Sequence, residues 1–209
     1  MAAQKEQSTR QMLMNLLKTN GKISVSFMAQ ELGITEMAVR RHLSVMERDG
    51  LLQTELSRQP MGRPMTLYSL SDQADHLFPK NYHILTLDLL GELDAEEGEA
   101  MVSRLFDSRK QRLLKKYRPQ LDGRSLEDKV QTLAKIQDEN GYMVKVEHDR
   151  QGHYVLEEYN CPIAEVAKQY QDACRCEKAL FEDLLGTRVE RTECLTKGGR
   201  KCKYIIHSD

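Results

Sequence analysis

Between Ser8 and Leu70 the chain fits three helical stripes and two strand-like runs into about sixty residues, and few folds accept that order. Met12, Leu13, Leu16 and Leu17 form a stripe that ends at the breaker Asn20-Gly21. Ser24 is placed to cap a second helix carrying Val25, Met28, Ala29 and Leu32. Gly33 and Ile34 make a tight turn, and Thr35 caps a third helix from Glu36 to about Asp49. Gly50 follows, where a helix end favours glycine. Leu51 to Leu56 and Met65 to Leu70 read as strands around a Pro, Gly and Arg tip running from Arg58 to Pro64. Three helices and a hairpin in this order describe a winged helix-turn-helix over residues 1–78.

On the third helix Val39, Leu43 and Met46 share one face and are expected to pack inward. The opposite face presents Glu36, Met37, Arg40, Arg41 and Ser44, next to Thr35. A helix of this width fits the major groove of double-stranded DNA, where an arginine makes a bidentate contact to guanine. Arg58 and Arg63 at the hairpin tip are placed to reach phosphates or an adjacent minor groove. The plainer reading, that Arg40 and Arg41 only solvate a surface helix, is weakened by their place in the helix-turn-helix-wing order. Residues 1–78 carry nine Lys/Arg against eight Asp/Glu, so phosphate neutralisation by one copy is modest. A dimer on a two-fold site is expected to compensate. His42 reads as structural, and the basic stretch from Arg104 to Arg118 as a solvated helix face.

Residues 79–140 read as helices of mixed charge. Leu85, Leu87, Leu89, Leu90 and Leu93 concentrate apolar surface in one short helix. A longer helix runs from about Ala95 to Tyr117, and another carries Leu126, Val130, Leu133 and Ala134. Such stripes need a partner, so this segment is expected to be the linker and dimerisation region of a homodimer. From Gly141 the period changes to that of strands: Tyr142, Val144 and Val146 alternate, and Tyr154 to Tyr159 resumes after a turn. Helical sequence follows from Pro162 to Leu185, then two strands, Arg188 to Leu195 and Lys201 to His207. The chain is therefore read as α+β, with a winged helix-turn-helix, central dimerisation helices and an α+β sensor domain over residues 141–209.

No apolar run approaches the roughly 20 residues of a membrane span, and the N-terminus lacks a signal-peptide core, so a cytoplasmic protein is expected. No nucleophile–base pair, phosphate-cradling glycine loop or carboxylate dyad is placed for chemistry, so no enzymatic activity is expected. All five cysteines lie beyond residue 160. Their odd number excludes a complete disulfide framework, and clustering in a reducing compartment favours metal or redox chemistry. The spacings are Cys161-x12-Cys174, Cys174-x27-Cys202 and Cys194-x7-Cys202, with Cys176 as the extra, and no CxxC occurs. If Pro162 to Leu185 were one helix, Cys161 and Cys174 would stand about 20 Å apart, too far for one metal ion or small cluster. A shared site demands a break, and Gln171-Asp172 offers one, with Asp172 as the N-cap and Cys174 in the first turn of a second helix. There the free N–H groups favour the thiolate. Cys194 and Cys202 flank a Lys197–Arg200 turn, and paired strands can set them opposite each other. Taken singly each cysteine reads as core. Taken together they suit thiolate ligation of an iron–sulfur cluster or of zinc.

Gly33 to Leu43, the wing residues Met61 to Pro64 and Tyr68 resemble the DeoR/ArsR-type winged helix of the Suf-system regulators, transcriptional repressors of iron–sulfur cluster assembly genes. Tyr159 to Ile163, Cys174, Val189 to Cys194 and Lys201-Cys202 are similar to the sensor domain of that family. The resemblance implies a homodimer on an inverted-repeat operator, with a cysteine-ligated [2Fe–2S] or [4Fe–4S] cluster that tunes DNA affinity. The family's three ligand positions fall on Cys161, Cys174 and Cys202. The fourth ligand is left open between Cys194 and a residue other than cysteine. The C-terminal third also resembles the vinyl-reductase type of small-molecule sensor domain, whose zinc site uses a comparable Cys-x7-Cys, and this is the alternative expectation.

Overall fold

The structure, a computed structural model, describes residues 8–58 and 64–208. The chain divides into two compact units, with the boundary between Lys80 and Asn81. Among the described residues no helix is long and apolar enough to cross a membrane.

In the first unit the hydroxyl of Ser8 accepts the Gln11 amide and opens α1 (Thr9–Asn20). The two-residue strand β1 (Ile23–Ser24) leads into α2 (Val25–Leu32), which Ser24 caps through the Phe27 amide. Gly33 ends α2 at φ 64°, a left-handed conformation that a residue without Cβ adopts freely. Thr35 then caps α3 (Glu36–Arg48) by accepting the Ala38 amide at 3.2 Å. Strands β2 (Leu52–Ser57) and β3 (Met65–Leu70) pair antiparallel, and β1 lies on the other edge of β3. A 3₁₀ turn, Asp72–Leu77, follows. The apolar sides meet in one core built on Leu13, Leu17, Met28, Val39, Leu43 and Met46. This is a winged helix-turn-helix, formed by the helices and strands read from the sequence. Residues 59–63, with Arg63, lie outside the described residues.

The second unit begins with three helices, α4 (Tyr82–Glu97), α5 (Glu99–Leu121) and α6 (Leu126–Glu139). Strands β4 (Val144–His148) and β5 (Tyr154–Glu158) form a hairpin. Two helices follow, α7 (Ala164–Gln169) and α8 (Asp172–Leu185), and then β6 (Val189–Glu193) and β7 (Cys202–Ile206). The four strands make an antiparallel sheet in the order β4-β5-β7-β6. Directly opposed residues of an antiparallel pair share a face. Leu156 faces Tyr204, Glu158 faces Cys202, and Val189 and Tyr154 both face Ile206, so these residues line one side of the sheet. The Phe181 ring of α8 packs edge-on against Tyr204, with centroids 5.0 Å apart.

The helices expected as a dimerisation segment do not stand apart. Val102, Phe106 and Leu121 of α5 and Val130 and Leu133 of α6 share one hydrophobic cluster with Leu156 and Phe181. Amphipathic stripes need an apolar cover, and here α8 and the sheet supply it. Only α4 departs from this: none of its residues is buried, although Leu87, Leu90 and Leu93 lean on the same cluster. Leu43 lies at the centre of the first core with 1% exposure. Leu43→Ala is expected to lower the unfolding free energy by about 2–5 kcal/mol, measured by urea denaturation of the full chain. A loss below about 1 kcal/mol would contradict the packing described for α3.

Candidate thiol centre and nucleic-acid interface

On α3 the inward stripe of Val39, Leu43 and Met46 fixes the rotation of the helix, which leaves Glu36, Met37, Arg40, Arg41 and Ser44 exposed. Met37 is 75% exposed, unusual for a large apolar side chain on a capped helix. Arg40 reaches back to Glu36 at 3.3 Å, an exposed i,i+4 pair worth only a few tenths of a kcal/mol. Arg41 makes no ion pair among the described residues, so its guanidinium is available to a partner. The hydroxyl oxygen of Thr35 is taken up by its capping role. Arg58 is exposed just beyond the end of β2. Arg63 is the one expected contact residue outside the described residues. His42 is half-buried on the flank of α3.

In the second unit the helix expected from Pro162 to Leu185 is interrupted. α7 stops at Gln169, Tyr170 is extended (φ −113°, ψ 91°), and α8 starts at Asp172. The cap differs from the expectation: Gln171 holds the N-cap position, and Asp172 is the first helical residue. The Asp172 carboxylate is engaged elsewhere, accepting from Ser103 at 2.9 Å and from Arg175 at 2.8 Å. Pro162 likewise sits in a turn ahead of α7 rather than in its first turn. Cys174 nevertheless falls in the first turn of α8.

Cys174, Cys194 and Cys202 lie around the Cys194–Thr196 segment ahead of β7, and Cys161 lies within electrostatic reach of Cys174. The Thr196 hydroxyl lies 3.2 Å from Cys194 Sγ and 3.6 Å from Cys174 Sγ. Cys202 Sγ accepts the Leu195 amide at 3.4 Å, and Cys202 and Cys194 are close enough to interact electrostatically. Cys161 lies close enough to Cys174 to feel its charge. The connection from β6 to β7 is held tightly: a Cβ on Gly199 would approach the Cys194 carbonyl oxygen to 2.8 Å, so this backbone contact needs glycine. Cys176 turns away and donates to Asp107 at 3.2 Å.

Acidic groups that no local sequence pattern marks lie near the thiols. Glu158, opposite Cys202 and fully buried, accepts from Gln137 Nε2 at 2.8 Å through one oxygen, while Oε2 has no hydrogen-bond partner among the described residues. Glu177 accepts from the hydroxyls of Tyr204, at 3.2 Å, and Tyr142. Arg191 donates to the Cys174 carbonyl at 3.0 Å. Burial, then the neighbouring Glu177, pushes the Glu158 carboxyl up to about 9. Burial likewise pushes Cys161 and Cys202 up to about 12 and raises Cys174 and Glu177. Cys194 runs the other way. Burial opposes its ionisation, but donation from the Thr196 hydroxyl and amide, then the Arg191 charge, outweigh it and lower the thiol.

Among the described residues no three His, Cys, Asp or Glu side chains already converge as a metal-binding group. The donor chemistry does suit a cation. Several acidic groups share one buried patch with Arg191 and, beside Glu177, Arg109, and Glu158 Oε2 has no hydrogen-bond partner among the described residues, so a bound cation would favour the ionised carboxylate.

Residues 9–60 match a family model described as an HTH domain. No curated protein matches the chain. Among solved structures, PadR of Bacillus subtilis in complex with operator DNA is 15% identical with a TM-score of 0.30, over 88% of this chain and 98% of that one. A mutant of ZitR from Lactococcus lactis is 19% identical with a TM-score of 0.29, over 53% of this chain and 81% of that one. At such scores neither likeness bears on this chain's function. The fold of the first unit and the domain match define its class: a winged helix-turn-helix domain, a fold that binds double-stranded DNA.

Gln137 is the one hydrogen-bond donor found for Glu158 among the described residues. Gln137→Met keeps the volume and removes that donor, and is expected to cost about 1–3 kcal/mol in chemical denaturation of the metal-free chain. An unchanged midpoint would contradict the isolation of that carboxyl.

Proposed function

We propose that the chain is a transcriptional repressor that binds an inverted-repeat operator as a homodimer and adjusts its grip through an iron–sulfur cluster in the C-terminal unit. The observation that supports the reading is that Thr196 contacts both Cys174 and Cys194 and the Leu195 amide donates to Cys202, which gathers three cysteines from separate elements around one turn, with Cys161 in electrostatic reach. Cys161, Cys174 and Cys202 would hold the cluster, with Cys194 or the free oxygen of Glu158 as the fourth donor. When bound, such a cluster supplies positive iron to offset the ionised thiols and a redox-sensitive centre. Cys194, the one thiol shifted toward ionisation, is the easiest to deprotonate. Thr196 and the Leu195 amide orient the sulfurs, and the interrupted helix places Cys174 at an N-terminus that favours the thiolate. Cys176, bound to Asp107, takes no part.

On the DNA side, α3 enters the major groove, with Arg41 reading a base and Arg40 exchanging Glu36 for the same purpose. Arg58 and Arg63 follow the backbone from the wing. Dimerisation is supported by α4, which exposes Tyr82, Leu85 and Leu89 on one side.

Anaerobic purification with iron, sulfide and visible-absorption assays tests the sensor half. Coloured protein with matched iron and sulfide is expected, lost in Cys161→Ser, Cys174→Ser and Cys202→Ser and kept in Cys176→Ser. Colourless protein with stoichiometric zinc would overturn the iron–sulfur assignment in favour of zinc. Loading or stripping the cluster is expected to change operator affinity about 5- to 150-fold by fluorescence anisotropy. Arg41→Ala is expected to weaken specific binding by about 1–3 kcal/mol and relax preference at one base position. An unchanged footprint would remove Arg41 from the interface.

A further inference from the structure

A cavity of about 780 Å³ opens in the second unit between the start of α4, the middle of α5 and the Asn160–Val166 segment. Its volume falls within the range of small-molecule sites, and its lining is mostly apolar, with Leu90, Leu105, Phe106 and Ile163 supplying the walls. Two arginines interrupt that surface. Arg109 and Arg112 are one turn apart on α5, so they share a helix face, and both line the cavity. Neither forms an ion pair with another described residue. Arg109 feels the buried Glu177 behind it, and Arg112 is exposed. The other titratable groups at the rim are His83 and Glu165, and Glu165 is already paired with Lys168 at 2.7 Å. The net field in the cavity is therefore positive, beside walls that reward an apolar body.

We propose that this cavity binds a small amphipathic carboxylate, its acid group on Arg109 and Arg112 and its apolar body against Leu90, Phe106 and Ile163. Guanidinium forks match a carboxylate through two parallel hydrogen bonds. A doubly charged phosphate would be less at home, because the apolar walls offer few donors for its further oxygens. Cys161 also lines the cavity, so an occupant covers the residue that leads into the thiol centre and gives that centre a second, chemically distinct input. The binding itself needs no metal at the thiols.

Calorimetric titration of the metal-free full chain with decanoate, below its micelle concentration, tests this, with decanol as the uncharged control. Saturable one-to-one binding is expected for decanoate and none for decanol. Arg112→Ala, at an exposed position that leaves the core untouched, is expected to weaken binding about tenfold or more. Iodoacetamide alkylation of Cys161, followed by mass spectrometry, is expected to slow when decanoate is bound. Failure of decanoate to bind, equal binding of decanol, or full affinity in Arg112→Ala would each overturn the assignment. So would a dimer in light scattering whose protected Tyr82–Thr86 segment excludes decanoate, which would make the cavity part of an interface between copies.

Discussion

A continuous helix from Ala164 to Leu185 would spread Cys161 and Cys174 along a rod, about 20 Å apart. The interruption at Tyr170 and Gln171 removes that obstacle, and the thiol centre follows from it. Breaking a helix leaves carbonyls without partners, which is costly in a core. Here the Gln171 side chain donates to the Ala167 carbonyl at 2.8 Å and also reaches the Thr196 hydroxyl at 3.4 Å, the hydroxyl that separates Cys174 from Cys194. Tyr170, extended and buried, places its ring 6.4 Å from Phe106 of α5. One residue thus satisfies the broken helix and joins it to the β6–β7 connection, while its neighbour anchors the break in the core.

Around that break the protein concentrates its buried polarity at one end of an otherwise apolar sheet face. Leu156, Tyr204 and Ile206 continue the face as ordinary core, whereas Glu158 and Cys202 end it with an acid and a thiol. Burial outweighs the nearby Arg191 charge and holds most of these groups in their neutral forms, and Cys194 is the exception because Thr196 and Arg191 stabilise its anion. A patch of this kind gains little stability from its own residues. Its composition makes sense as a receiver of positive charge, which is why the sensor reading rests on the donor set rather than on a preformed cage.

Much of the first unit was legible because its signals are local. Ser8, Ser24 and Thr35 each accept an amide three residues ahead, and Gly33 takes the left-handed turn that divides α2 from α3. The need for a break before Cys174 was also legible, since thiols on one rod cannot meet, but its details were not. Asp172 looked like a cap, yet Ser103 and Arg175 claim its carboxylate, and Ser103 lies 69 residues away in sequence. Glu158 was invisible for a similar reason. In the run Glu157-Glu158 alternation turns one acid inward, but the sequence does not say which, and its partner Gln137 belongs to a different helix. Sequence periodicity likewise called for a partner for α5 and α6 without revealing that the partner is the chain's own α8.

α4 is the exception that ties the two proposed activities together. Leu87, Leu90 and Leu93 lean inward on the core, while Leu89 is 63% exposed and Tyr82 70%. A helix apolar on more than one face is stable when covered on more than one face. The chain's own core covers one, which leaves the other for a second copy or for a ligand near the α4 start. A recognition unit with a net charge of only +1 gains little from phosphate attraction alone, so two copies with fixed spacing are the physical route to a tight operator complex. The same helix contributes Tyr82, His83 and Thr86 to the cavity that Cys161 also lines. In the proposed regulator, whatever fills that cavity or moves the Asn160–Val166 segment therefore acts on α4, the helix proposed to pair the two copies.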